Sequence, residues 1–199
     1  KYIPSRVIRD ALLERESPTV SKEITVLFAD LRGFTSLAEN LLPQEVAVLL
    51  DNYLGKMAAC VIKYGGTVDK FIGDGIMAFF ELSACCRDHP FAAVKAAAAI
   101  QKALQEDGKL SAGIGVATGI AAIGSVGSDA HKDYTVIGDT VNIAARLEEL
   151  AGPGQIFITE TTAKRIGLQK KAKVMSLTGR KGKIRVMCLE GRDIKDLGE

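Results

Sequence analysis

A helical stripe set between two β-prone stretches constrains the fold most. Val46, Leu50, Tyr53, Met57, Cys60 and Tyr64 recur at steps of three and four between Pro43 and the Gly65–Gly66 pair. That spacing lays one apolar face along a helix, with proline suited to its first turn and paired glycines to its stop. Such a face must be buried against another element. The flanking segments supply one: Glu23–Leu31 ("EITVLFADL") is an apolar, β-prone run, and "TVDKFIGDGIMAFF" is two β-rich runs broken by Gly-Asp-Gly, a hairpin signal.

The rest of the chain repeats the alternation. Asp88 is placed to cap a second helix, with Pro90 in its first turn and an Ala-rich body running to about Glu106. "LSAGIGVATGIAAIGSVGS" is β-leaning and glycine-punctuated. "DYTVIGD" is a short strand leading into the helix "TVNIAARLEEL", for which Asp139 is the expected cap. "GPGQIFIT" gives a turn and a strand, and two last strands are expected at Lys173–Leu177 and Ile184–Glu190. The order β-α-β-β-α-β with further elements predicts an α+β domain with a mostly antiparallel sheet. Residues 1–21 read as a polar, helix-prone lead-in, and 22–199 as one domain.

Bulk properties narrow the partners. In 199 residues, 47% are hydrophobic and 25% charged, enough apolar material for a core. A formal net charge of +2 points to neither a nucleic-acid partner nor a membrane surface. Apolar stretches such as "FAAVKAAAAI" are too short and too charged to span a bilayer, and no signal peptide is visible. Cys60, Cys85, Cys86 and Cys188 have no zinc spacing and form no C-x-x-C pair, so reduced thiols and a cytoplasmic location are expected. The chain starts at Lys1 rather than Met, as expected of a piece of a longer protein; upstream regulatory domains are a separate expectation for that protein, with membrane tethering left open.

Three features carry chemistry. Asp30 ends an apolar strand and is followed by Arg32 and Gly33; a carboxylate there either caps the next turn or ligates a metal, and it needs a partner. Asp74 sits between two glycines in the hairpin turn, where it either shapes the turn or approaches another group closely. If their strands are neighbours, the two carboxylates converge. Hard oxygen ligands without His or Cys suit Mg²⁺ or Mn²⁺, and Mg²⁺ is commonly held by one or two carboxylates plus substrate phosphates. Asn142 and Arg146, four apart, share a helical face beside the apolar stripe Ile143, Leu147 and Leu150. They are either solvated or placed to orient a ribose and neutralise a phosphate, for which the planar guanidinium fork is well made. "GIGVATG" does not fit the dinucleotide fingerprint, and no Walker motif is present. His89 and His131 fall at a helix start and in a polar loop, and neither suggests nucleophilic catalysis.

Taken together, "VLFADLRGFTSLAE", "GGTVDKFIGDGIMAFF" and "DYTVIGDTVNIAARLEELAGPGQIFIT" closely resemble the catalytic domain of class III nucleotidyl cyclases, the adenylate/guanylate cyclase family. The resemblance runs from about Glu23 to Gly191, in order and with matching spacing. It implies a ferredoxin-like α+β fold, a homodimer and active sites between subunits. Asp30 and Asp74 of one chain, helped by the Leu31 carbonyl, would bind two divalent ions. Asn142 and Arg146 of the other would orient the ribose and stabilise charge on the α-phosphate while the 3′-hydroxyl attacks, releasing pyrophosphate and a 3′,5′-cyclic nucleotide. Lys70 and Thr135 match the base selectors. A Lys donor fits adenine N1 and a Thr oxygen fits the adenine amino group, whereas guanine would meet Lys70 donor to donor. ATP is therefore the expected substrate, and the pair resembles bacterial adenylate cyclases with a Lys/Thr selector.

The Lys that contacts the triphosphate in many members is matched by Lys181, with Arg180 next; counting back from "IRVM" the position falls on Thr178. A guanylate cyclase is the alternative enzyme. A catalytically inactive dimerisation domain is the alternative class, although such members usually lack one of the four residues Asp30, Asp74, Asn142 and Arg146, all present here. The Gly-Gly-acidic-Glu-Phe signature of diguanylate cyclases is missing.

Overall fold

The computed structural model describes residues 19–106, 110–128, 131–176, 182–191 and 193. Along the chain lie β1 (Val20–Arg32), α1 (Phe34–Ala38), α2 (Pro43–Lys63), β2 (Thr67–Ile72), β3 (Gly75–Phe80), α3 (His89–Glu106), β4 (Ser111–Ser128), β5 (His131–Ile137), α4 (Asp139–Leu150), β6 (Ile156–Thr159), α5 (Glu160–Arg165), β7 (Lys173–Ser176) and β8 (Lys183–Leu189). They form an α+β fold. The sheet runs β2-β3-β1-β4-β6-β8-β7, with β5 paired to β4. Among the described residues every strand pairing is antiparallel except β4 with β6. Its first four strands, β2-β3-β1-β4, are joined through the crossover helices α2 and α3, the ferredoxin-like arrangement.

Alternation along β1 divides the core. Leu27, Ala29 and Leu31 face α2 and α3, in one cluster with Tyr53, Met57, Val61, Val94, Ile100 and Leu104. Ile24 and Val26 face the other way, in a cluster with Met77, Phe79 and Ala144 of α4. With a period of two, Asp30 and Arg32 share that second face with Val26, so both are turned toward α4. Each buried cluster fixes register, since a one-residue slip would turn every β1 side chain over.

Helix boundaries follow the local chemistry. Pro43 opens α2, and the Glu45 carboxylate reaches back to the Leu42 N–H at 2.8 Å. Asp88 accepts from the Phe91 N–H at 3.1 Å to start α3. At α4 the cap position belongs to Gly138, and Asp139 is the first helical residue rather than the cap. β1 starts at Val20, three residues before the expected Glu23. Leu150, read on the apolar stripe of α4, is exposed, and the Cys86 side chain, between β3 and α3, is buried in the main core.

The glycines of "GIGVATG" make a trough. Gly113, Gly115 and Gly119 lie on one face of β4; α4 rests directly on Gly115 and Gly119, and the Arg32 guanidinium and Ala151 carbonyl lie over Gly113. A Cβ at Gly115 would overlap the Ala144 carbonyl and the Glu148 amide, and one at Gly119 would come within 2.6 Å of Thr140 Oγ1. On the opposite face a buried chain of hydroxyls runs from His89 Nδ1 to Thr25 (2.8 Å), Thr118 (2.8 Å), Thr162 (2.9 Å) and Thr159 (2.8 Å).

Gly115→Ala is expected to cost about 1–3 kcal/mol by overpacking. Urea unfolding measures this, and a loss near zero would mean that α4 lifts without penalty. Burial holds the His89 imidazole below its ordinary 6.5, with Glu23 opposing in part. Between that lowered value and 6.5 the unfolded chain binds more protons than the fold, so stability rises with pH through this window and is lost as pH falls. A His89→Gln chain should show a flatter pH profile of denaturation midpoint than the parent chain.

Candidate active site

Asp30 is the last β1 residue paired to β3, and its partner is Gly75. Asp74 immediately precedes Gly75, in the two-residue turn Gly73–Asp74 between β2 and β3. Gly73 takes φ +59°, as the first position of a type II′ hairpin turn requires. The strand pairing therefore brings the two carboxylates face to face. Gly75 makes room, since a Cβ there would stand 2.9 Å from Asp30 Oδ1 and from the Ala29 carbonyl. Burial and the neighbouring Asp74 charge push the Asp30 carboxyl above the ordinary carboxylate range, with Arg32 opposing. Leu31 follows directly, its side chain in the core and its backbone beyond the last β1–β3 pair.

Arg32 is the partner that a strand-end carboxylate needs. Its Nη1 donates to Asp30 Oδ2 at 2.5 Å, and its Nη2 donates to Glu148 Oε1 at 2.5 Å and to the Glu148 carbonyl at 2.6 Å. Nε donates to the Ala151 carbonyl at 3.1 Å. The Arg32 side chain is 21% exposed and that of Glu148 14%, so this is a largely buried clamp tying β1 to the end of α4. Burial pushes the Glu148 carboxyl up, and the Arg32 guanidinium pulls it back. The sequence offered Arg32 only as a neighbour; its link to Glu148 needs the bare backbone of Gly113, over which the guanidinium and the Ala151 carbonyl lie.

Asn142 and Arg146 do not join the carboxylates within one chain. At about 100° per residue, Arg146 lies roughly 200° from Glu148 around α4. Thr140, Ala144 and Leu147 are buried against the sheet, whereas Asn142 is exposed and the Arg146 side chain is 43% exposed. Arg146 Nη1 instead bonds its own-helix Glu149, at 2.6 and 2.9 Å.

Lys70 and Thr135 are linked through Asp69, the residue before Lys70 on β2 and the hydrogen-bond partner of Thr135 on β5. β2 carries a register shift between Val68 and Lys70, with Val68 opposite Ala78 and Lys70 opposite Met77. Met77 belongs to the cluster under α4, so the shift turns Lys70 to the face that also carries Asp30. Thr135 Oγ1 donates to Asp69 Oδ2 at 2.7 Å. Lys181, Arg180 and Thr178 lie outside the described residues.

Among the described residues no group of three or more His, Cys, Asp or Glu side chains is placed to hold a metal ion. Two facing carboxylates nevertheless match the donor set that Mg²⁺ and Mn²⁺ use together with substrate phosphates. Surface clefts lined by Lys22, His89 and Arg165, and by Thr118, Thr140 and Glu160, include neither carboxylate. The Asp30–Asp74 pair stands on an open rim, flanked by the half-exposed Phe71 and Ile72.

Comparison with known proteins fits this arrangement. The profile of the adenylate and guanylate cyclase catalytic domain matches residues 17–191. An adenylate cyclase of Anabaena cylindrica is 36% identical over 161 residues, covering 73% of this chain and 31% of the relative. The terminal-differentiation-specific adenylate cyclase of Dictyostelium discoideum is 37% identical over 157 residues, covering 74% of this chain and 7% of the relative. The chain thus spans less than a third of the length of these curated relatives. The crystal structure of the adenylyl cyclase CyaB from P. aeruginosa superposes with a TM-score of 0.79 at 33% identity, covering 88% of this chain and 98% of that one. The guanylyl cyclase Cya2 gives 0.78 at 35%, covering 85% and 92%. The chain belongs to the class III adenylate and guanylate cyclase family and is a nucleotidyl cyclase catalytic domain. Adenylyl and guanylyl neighbours match about equally well, so overall likeness does not choose the base.

Arg32→Ala would leave the Glu148 carboxylate largely buried without its cation, and Asp30 beside Asp74 without a counter-ion. A loss of about 3 kcal/mol in stability is expected. Arg32→Lys, which keeps the charge but not the fork, should recover only part of it. Chemical denaturation decides this, and full recovery by Lys would contradict the bridging geometry.

Proposed function

We propose that this domain is an adenylate cyclase, converting ATP to 3′,5′-cyclic AMP and pyrophosphate at composite sites of a homodimer. The observation that carries the composite reading is the geometry of α4. Its Glu148 edge is tied through Arg32 to the chain's own Asp30, while Asn142 and Arg146 face outward, available to a second copy. The half-exposed Phe71 and Ile72 beside Asp74, and Ile120 and Ile137 near the start of α4, give such a copy apolar surface to cover.

Asp30 and Asp74, with the Leu31 carbonyl, would hold two divalent cations, Mg²⁺ or Mn²⁺. Bound there, the ions supply Lewis-acid neutralisation of the triphosphate and acidify the attacking hydroxyl. The chain's own groups do the positioning. Asn142 orients the ribose so that its 3′-hydroxyl lies in line with the α-phosphorus. Arg146 donates to the α-phosphate oxygens as negative charge builds on them, and pyrophosphate departs from the opposite side. The Glu149 carboxylate that now occupies Arg146 is exposed, so exchanging it for phosphate costs little. Lys70 donates to adenine N1 and Thr135 accepts from the adenine amino group. Lys181 and Arg180 remain the candidates for the outer phosphates.

Incubation with ATP or GTP and either metal should yield cyclic AMP as the main product; predominant cyclic GMP would move the assignment to a guanylate cyclase. Asp30→Ala and Arg146→Ala should each lose at least about 10²-fold in rate. An equal mixture of the two inactive chains should recover roughly a quarter of parental activity, because half of randomly paired dimers hold one intact site of two. No recovery after demonstrated subunit exchange would end the composite reading.

A further inference from the structure

We propose that Asp69 sets the base preference of the domain by fixing the Thr135 hydroxyl as a hydrogen-bond acceptor for an exocyclic amino group. The inference rests on the reading of Thr135 as a base contact and goes beyond it by naming what makes threonine, which can both donate and accept, read one way only.

Asp69 is the extra residue of the β2 bulge. Thr67 and Val68 pair with Phe79 and Ala78, Lys70 pairs with Met77, and Asp69 has no ladder partner of its own. Bulges re-aim side chains, and this one sends a carboxylate across to β5, where it accepts the Thr135 hydroxyl at 2.7 Å. An ionised carboxylate only accepts, so the hydroxyl hydrogen is committed to Asp69. What Oγ1 retains for a ligand is lone pairs. Thr135 is 9% exposed, so little water is at hand to support another rotamer of the hydroxyl.

The consequence is chemical discrimination. Adenine presents an amino donor at position 6, which a lone pair welcomes. Guanine presents an oxygen there, and two acceptors would face each other. The same bulge turns Lys70, the next residue, to the Asp30 side of the sheet. One irregularity of β2 thus serves both proposed base contacts. Asp69 itself touches no base, so it is a positioning residue. Burial pushes the Asp69 carboxyl above its ordinary range, the Thr135 hydrogen bond and the Lys70 charge pull it back, and Asp133 adds to the rise.

Replacing Asp69 by a group that can also donate should undo the restriction. Asp69→Asn and Asp69→Ser can each offer a hydrogen to Oγ1, which frees the threonine hydrogen to point at the ligand. The test uses the dimeric protein with Mg²⁺ and two non-reacting nucleotides that lack the 3′-hydroxyl. These are 3′-deoxy-ATP and the corresponding purine riboside triphosphate, which differs only in lacking the 6-amino group. Calorimetric titration of the parent chain should favour 3′-deoxy-ATP by about three- to tenfold, the worth of one hydrogen bond. In both Asp69 variants the preference should fall to below about twofold, and in Thr135→Val to about one, with thermal unfolding curves identifying any variant that does not fold. Wild-type preference in both Asp69 variants, with loss in Thr135→Val, would make Asp69 a strut between β2 and β5 and overturn the inference alone. No preference in the parent chain, or one surviving Thr135→Val, would overturn the reading of Thr135 as the base contact, and this inference with it.

Discussion

The Arg32 guanidinium joins parts of the chain 116 residues apart, spanning the Asp30 carboxylate on β1 and the Glu148 side chain and carbonyl near the end of α4. Much of the site geometry depends on this. Asp30 is held beside Asp74 although both are acidic, and burial alone already disfavours its charge. A single positive group, supplied from the same strand two residues on, offsets part of that repulsion; in the proposed site a ligand cation would offset the rest. Because the other end of the clamp is α4, the position of the carboxylate pair and the orientation of the helix that carries Asn142 and Arg146 are set together. In the proposed dimer those two residues serve the other site, so the clamp is also a mechanical connection between one site and its twin.

Sheet register does the rest. Asp30 and Arg32 face α4 because they are even-numbered on a strand whose odd residues Leu27, Ala29 and Leu31 fill the main core. Lys70 reaches the same side only because β2 gains a residue at Asp69. Asp74 meets Asp30 because the hairpin turn falls where β3 begins to pair with β1. Three separate local devices converge on one face of the sheet, across β2, β3 and β1: a period-two alternation, a bulge and a tight turn. Each is specified by a few residues, which is why motifs widely separated along the chain can build one locus.

That locality explains what the sequence discloses. The long stripe of α2, the Gly-Asp-Gly turn and the Asp88 cap were legible because each depends on residues within a turn or two of one another. The Asp30–Asp74 pair was legible as a conditional, since a strand end and a hairpin tip meet only if the strands are neighbours. Arg32, Asp69 and Glu148 were not legible as functional groups. Their partners lie on other elements, and nothing in the spacing announces that α4 will press against Gly115 and Gly119. The glycines themselves were visible, but as punctuation rather than as a bed for a helix. The cap of α4 falls one residue before the expected Asp139, because Gly138, with φ +150°, takes the position that an Asp would ordinarily fill. The short α5 carries too few residues to show a period, so the sequence does not announce it.

The central claim, that two acidic side chains from β1 and the β2–β3 turn form a divalent-cation site, is most directly tested by diffraction. Crystals grown with Mn²⁺ and 3′-deoxy-ATP, measured at the manganese absorption edge, locate the ion without reference to activity. The account predicts anomalous density within about 2 Å of oxygens from both Asp30 and Asp74. Manganese bound through other residues, or to the nucleotide with neither carboxylate in reach, would contradict it.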